Sequence, residues 1–123
     1  MVNIFLVMLG GFIGTILRFF TGEWLHSNQG FPIGTFTVNL LGCFLLGAFF
    51  SYIKEEYPRI YIFLGTGLVG AFTTFSTFSV ETINLIKQDQ YLLAVTYSLI
   101  SVVGGLGLTF LGSRFSIRKG VTT

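Results

Sequence analysis

Charge is scarce in this sequence. Lys and Arg number seven and Asp and Glu five among 123 residues, 10% in all, where a soluble domain carries about a quarter. Seven scattered cations and a net charge of +2 leave no basic surface for a nucleic acid. The single cysteine, Cys43, excludes an intrachain disulfide and any multi-cysteine metal site. The single histidine, His26, removes most zinc and triad chemistry. Gly-Lys-Ser/Thr is absent, so there is no Walker loop. Gly65, Gly67 and Gly70 spell G-x-G-x-x-G, but no strand precedes them and they lie inside an apolar run, which makes the match spurious. Nothing in this inventory calls for an enzyme.

What the chain has is apolar bulk. Hydrophobic residues make up 52%, mean hydropathy is +0.80, and 15 Phe, 5 Tyr and 1 Trp rule out disorder. Residues 1–17, 24–53, 60–80 and 90–113 carry no Asp, Glu, Lys or Arg. About 20 apolar residues in helix cross the hydrocarbon core, so the runs predict four transmembrane helices near 2–20, 33–53, 60–86 and 91–113, forming one domain over 1–123. Continuous rather than alternating hydrophobicity argues against a β-barrel. The first run lacks a basic leader and a small-residue cleavage pattern, unlike a signal peptide. The connections are short: 21–32 with an Asn28-Gln29-Gly30 turn, 54–59 with Pro58, and 87–90, and a short tail follows Arg114. Function is therefore expected inside the bilayer.

Sixteen glycines are heavy use for such a chain. Gly10 and Gly14 are one turn apart, and Ala94, Ser98, Ser101, Gly105, Thr109 and Gly112 fall on one helical face. Small residues let helices approach closely in lipid. Four helices make a thin bundle, so self-association is the expected use of much of this surface.

The third span carries the chemistry. From Gly65 to Glu81 it reads Gly-Thr-Gly-Leu-Val-Gly-Ala-Phe-Thr-Thr-Phe-Ser-Thr-Phe-Ser-Val-Glu. Glycines followed by Thr73, Thr74, Ser76, Thr77 and Ser79 combine weak helix propensity with hydroxyls that compete for backbone groups. One reading is a helix broken near mid-membrane, whose freed carbonyls and amides make an ion site. The other is a glycine-rich helix whose hydroxyls bond back to carbonyls one turn earlier. Phe75 and Phe78 share a face; they line a small-anion route with their positive ring edges, or they are ordinary packing residues. Asn39, a carboxamide in the second span, either glues helices or serves a pathway. Cys43 reads as a small buried hydrophobe.

These segments resemble a known family. Residues 10–19 (Gly-Gly-Phe-Ile-Gly-Thr-Ile-Leu-Arg-Phe), 34–42 (Gly-Thr-Phe-Thr-Val-Asn-Leu-Leu-Gly) and 70–81 (Gly-Ala-Phe-Thr-Thr-Phe-Ser-Thr-Phe-Ser-Val-Glu) are similar, in order and across essentially the whole chain, to the bacterial fluoride channels called Fluc or CrcB. Thr15, Phe19 and Phe36 depart from the family's commoner Ala, Tyr and Leu, outside the motif core. The resemblance implies an all-α membrane protein of the bacterial plasma membrane. Its third helix would be broken, and an antiparallel dual-pore dimer would export fluoride passively and confer fluoride resistance. It implies a structural sodium ion at the dimer centre, held by the backbone carbonyls of Gly70 and Thr73. It also implies a fluoride pathway through Asn39, Phe75 and Phe78, with a polar track of Ser76, Thr77 and Glu81, then Tyr97 and Ser101 from the fourth span. Arg18 would stand near the aqueous vestibule.

The alternative is a small four-helix proton-coupled drug exporter, which needs a membrane-embedded carboxylate. The first span has no acid before Glu23, which leaves Glu81. For topology, four crossings put Lys54, Arg59, Arg114, Arg118 and Lys119 on one side and Arg18 and Lys87 on the other. That bias favours both termini in the cytoplasm. The partners expected are fluoride, membrane lipid, and either a second copy or an oppositely oriented paralogue.

Overall fold

The computed structural model describes residues 1–26 and 30–120, with side chains given for all of these except 51, 52 and 116–120. The chain runs α1 (Val2–Trp24), α2 (Ile33–Glu56), α3 (Pro58–Tyr61), a π-helix (Ile62–Val69), α4 (Gly70–Phe72), α5 (Phe75–Lys87) and α6 (Tyr91–Gly120). There is no strand among the described residues. Four helical stretches are long and apolar enough to cross a membrane, and Pro58–Lys87, which runs from α3 through α5, is the third of them. The first helix continues to Trp24 and the last to Gly120. A charged residue ends an apolar run without ending a helix, and Arg and Lys are good helix formers. Asn28 and Gln29 of the expected turn lie outside the described residues; Gly30 takes φ 80°, the left-handed region open to glycine.

Packing follows the small residues. A side chain at Gly10 or Gly14 of α1 would overlap the carbonyl oxygens of Phe63 and Leu68, and one at Gly67 would stand 2.9 Å from the Val7 carbonyl oxygen. Backbone thus lies on backbone where α1 crosses the π-helix. On the other flank α2 and α6 run parallel in close register. Leu40 meets Gly104, Cys43 meets Gly105, Gly47 lies on the Thr109 backbone, and Gly112 on Phe44 and Ala48. This corrects the expectation that the small-residue faces serve mainly self-association. Gly10, Gly14, Gly105, Thr109 and Gly112 are used inside one chain, because a thin bundle gains most from dispersion contact between its own helices.

The end of α5 shows how the hairpin to α6 forms. Gln90 N donates to Leu85 O at 2.9 Å and Asp89 N to Ile86 O at 3.0 Å, with Asp89 at φ 58°. This left-handed closure satisfies the last carbonyls and turns the chain so that Ala94 and Tyr97 meet Leu85 in a small buried core.

Candidate ion pathway

The third stretch is helical on both sides of two extended residues, Thr73 (φ −78°, ψ 156°) and Thr74 (φ −148°, ψ 123°). Gly70 itself is helical at φ −60°, ψ −35°. Extended backbone in a membrane must find partners, and Asn39 of α2 supplies them. Thr74 N donates to Asn39 Oδ1 at 2.8 Å, and Asn39 Nδ2 donates to Thr74 O at 2.9 Å. The carboxamide acts as a one-residue strand partner and retains one unspent N–H. Thr74 also caps α5, its Oγ1 accepting from Thr77 N at 3.2 Å.

The extended residues leave the carbonyls of residues 70–73 without their helical donors, and for two of them the donor's new partner is visible. In an unbroken helix Thr74 N would donate to Gly70 O, and Thr77 N to Thr73 O. Here the first donor serves Asn39 and the second serves the Thr74 hydroxyl. The Gly70 and Thr73 carbonyls lose those helical donors, and both residues border an open groove of about 400 Å³.

The five hydroxyls divide between the two expected uses. Thr73 Oγ1 bonds back to Val69 O at 3.0 Å and Ser79 Oγ to Phe75 O at 2.9 Å. Thr74, Ser76 and Thr77 instead form a cluster, with Thr74 Oγ1 at 3.0 Å from Thr77 Oγ1 and 3.2 Å from Ser76 Oγ. Beside them Ser101 Oγ is buried without a partner in the same groove, next to Asn39 and Phe78. Leaving such a hydroxyl unpaired costs about 1–3 kcal/mol, so Ser101 is a donor without an acceptor at the wall of the groove.

Phe75 is 80% exposed and stands over the groove. Its ring lies 5.9 Å from Phe78 at 36°, and Phe78 lies 5.0 Å from Tyr97 at 48°; the rings are tilted rather than edge-on to one another. Glu81 joins three helices, its Oε1 accepting from Thr35 at 2.7 Å and its Oε2 from Tyr97, a fully buried residue, at 2.9 Å. Glu81, Thr77, Thr35, His26 and Glu23 border a second, more polar cavity of about 460 Å³ at the α1–α2 connection. Asn39, Phe75, Phe78 and Ser101 border the first cavity and Thr77 and Glu81 the second, while Ser76 contacts Thr74, and Tyr97 contacts both Glu81 and Phe78. Arg18, half-buried in α1, borders neither cavity.

A family model described as CrcB-like protein, Camphor Resistance (CrcB), matches residues 5–113. The chain belongs to the CrcB family. It is similar to the "Fluoride-specific ion channel FluC" of Oceanobacillus iheyensis, 48% identical over 94% of this chain and 92% of that relative. It is also similar to "Fluoride-specific ion channel FluC 2" of Listeria innocua, at 44% over 89% of each, and to the FluC of Gloeothece citriformis, at 41% over 91% and 94%. CrcB relatives are named as ion channels, which is not an enzyme class. Four spanning stretches in a CrcB chain make it a multi-pass protein of the bacterial plasma membrane.

Three participants escape a reading of the CrcB motifs alone. Thr35 sits one turn before Asn39 on the same face of α2, a spacing that is visible once Asn39 is marked. Thr74 precedes Thr77 by three residues, the spacing of a helix N-cap. The π-helix has no comparable signal, since its register depends on what α1 presses against it.

Proposed function

We propose that this chain is a fluoride channel that lets fluoride leave the cytoplasm down its gradient and so relieves fluoride toxicity. All four spans, 1–123, act as one domain. The observation that carries the reading is the set of unspent donors beside the break. Ser101, whose hydroxyl is unpaired, and Asn39, with one N–H unspent, border the same groove as Phe75 and Phe78. Fluoride is small and tightly hydrated, and it leaves water only where several donors replace its shell. Ring edges add weak positive potential, and the Thr74–Ser76–Thr77 hydroxyls lead towards the polar cavity at Glu81.

The groove is open in one chain, and an antiparallel second copy or paralogue would wall it in, giving two pores per dimer. The sodium ion implied by the resemblance fits the donor set. Hard alkali cations take oxygen ligands, as K⁺ does from backbone carbonyls in channel filters, and the Gly70 and Thr73 carbonyls are among the four, residues 70–73, that lose helical donors at the extended residues. Sodium there would neutralise those dipoles and hold the two breaks of a dimer together. Among the described residues no three His, Cys, Asp or Glu side chains gather into a metal site. Arg18 would add positive potential near the entrance. The exporter alternative would rest on Glu81 alone, a carboxylate that borders the polar cavity and accepts hydroxyls from two neighbouring helices.

The test is fluoride efflux from liposomes holding the purified protein, followed with a fluoride electrode at zero and at imposed pH gradient. Rapid efflux that is the same in both conditions is expected. Efflux that requires a proton gradient, or none at all, would overturn the channel reading.

A further inference from the structure

Beside the aromatic line stands a ring that no motif marks. Phe31, in the connection just before α2, meets Tyr97 edge-to-face at 5.4 Å and 81°, and meets Phe36 at 5.4 Å and 76°. Tyr97 is 0% exposed, gives its hydroxyl to Glu81 at 2.9 Å and packs on Phe78 at 5.0 Å. Phe31 also borders the polar cavity together with Thr35, Thr77 and Glu81. It therefore separates cavity water from the ring that touches both Glu81 and Phe78.

We propose that Phe31 is a positioning residue of the ion path: its ring, steeply inclined to that of Tyr97, holds Tyr97 so that the hydroxyl stays on Glu81 and Phe78 keeps its backing. The inference rests on the fluoride-channel reading and adds a residue to it. A tyrosine has two side-chain torsions, and packing decides which staggered arrangement is populated. Phe36 fixes Phe31 in turn through a second edge-to-face pair, so the clamp is anchored on α2, the helix that also supplies Thr35 and Asn39. Removing the Phe31 ring opens that of Tyr97 to cavity water, which competes for the hydroxyl and for Glu81. The ring is then free to tilt, and Phe78 loses the surface that sets its angle. An aliphatic side chain fills volume but offers no ring for an edge-to-face contact with Tyr97. A tyrosine keeps the ring and points its hydroxyl to the cavity.

The experiment compares fluoride efflux from liposomes for wild type, Phe31→Leu, Phe31→Tyr, Tyr97→Phe and Phe31→Leu/Tyr97→Phe, with assembly checked by size exclusion. Phe31→Leu is expected to slow efflux about tenfold with assembly unchanged, and Phe31→Tyr to stay within about twofold of wild type, a separation of the size that an aromatic pair supplies. In the Tyr97→Phe background the leucine change is expected to cost clearly less than in wild type, because the hydroxyl it positions is gone and only the backing of Phe78 remains to be lost. Wild-type efflux in Phe31→Leu, or equal losses in both backgrounds, would overturn the proposal while leaving the channel reading intact. Absence of efflux in wild type would overturn both. Phe31→Met serves as a second aliphatic replacement, read in the same way. Failure of both aliphatic variants to assemble would also overturn it, marking Phe31 as a residue of the fold alone.

Discussion

At the scale of single residues, Asn39 carries two duties that one substitution can separate from bulk. Its oxygen accepts from Thr74 N and its nitrogen donates to Thr74 O, and a carboxylate of equal size keeps only the first. Asn39→Asp also places an anion where the path needs donors, and an ionised carboxylate at mid-membrane costs roughly 2.5–3.5 kcal/mol on insertion scales. The expected result is at least about tenfold slower fluoride efflux, the size of loss that goes with about 1.4 kcal/mol, from protein that still elutes as an assembled species. Wild-type efflux from assembled Asn39→Asp would remove this side chain from the path. The sequence exposes Asn39 as an oddity because a carboxamide among Val38 and Leu40 has no apolar reason to be there. Its partner is not legible in the same way. Thr74 is 35 residues distant, and only the fold brings an extended backbone to that side chain. Glu81 is similar: the lone acid is visible in sequence, whereas its two hydroxyl donors come from α2 and α6.

At the scale of elements, the third stretch was readable as poor helix, but the residues that interrupt it are the threonines and not the glycines. Gly67 is buried where backbones touch, Gly65 is buried under the Tyr61 ring, and Gly70 is helical with open space around it, the nearest heavy atom to an added Cβ being Gly65 O at 3.8 Å. Glycine is thus spent on close approach, while Thr74 supplies both the extended geometry and the cap. Two mutations separate these roles. Gly14→Ala would drive a methyl into the Leu68 carbonyl, backbone that cannot yield cheaply, and overpacking costs typically 1–3 kcal/mol, about enough to lower the melting temperature visibly. A lower thermal transition and a poorer yield are expected, and an unchanged transition would show that α1 and the π-helix do not meet as described. Gly70→Ala has no such clash within the chain and improves helix propensity by about 1 kcal/mol. Its expected effect is a loss of fluoride efflux without loss of stability, larger than that of Thr73→Ser, which keeps the hydroxyl bond to Val69 O and gives up only the methyl packed on Gly42. Full, equal efflux in both variants would count against an ion held by these carbonyls.

At the scale of the whole molecule, apolar surface faces outward. Phe5, Phe12 and Phe19 repeat every seven residues along α1 at 62–66% exposure, which only a hydrocarbon solvent tolerates. Lipid therefore replaces a deep core, and the few buried contacts act as alignment rather than as bulk stabilisation. Orientation is set by the ends. Because α2 and α6 run parallel, Lys54 and Arg114 lie at the same end, each folded over a ring of its own helix, Phe50 at 4.1 Å and Phe110 at 4.7 Å. Arg59 follows the same turn, and Arg118 and Lys119 continue α6 beyond it. Five cations at that end oppose Arg18 and Lys87 at the other, and Arg18 is half-buried inside α1 rather than in a loop. Lys and Arg near span ends decide orientation while acids count for little, so the cation-rich end is expected in the cytoplasm. A chain with that bias is expected to insert one way, and an antiparallel dimer would then need an oppositely oriented paralogue rather than a second copy. Reporter fusions to the C-terminus should accordingly signal from the cytoplasmic side alone. Strong signals from both sides would show that the chain inserts both ways, and a second copy would then suffice to complete the pores.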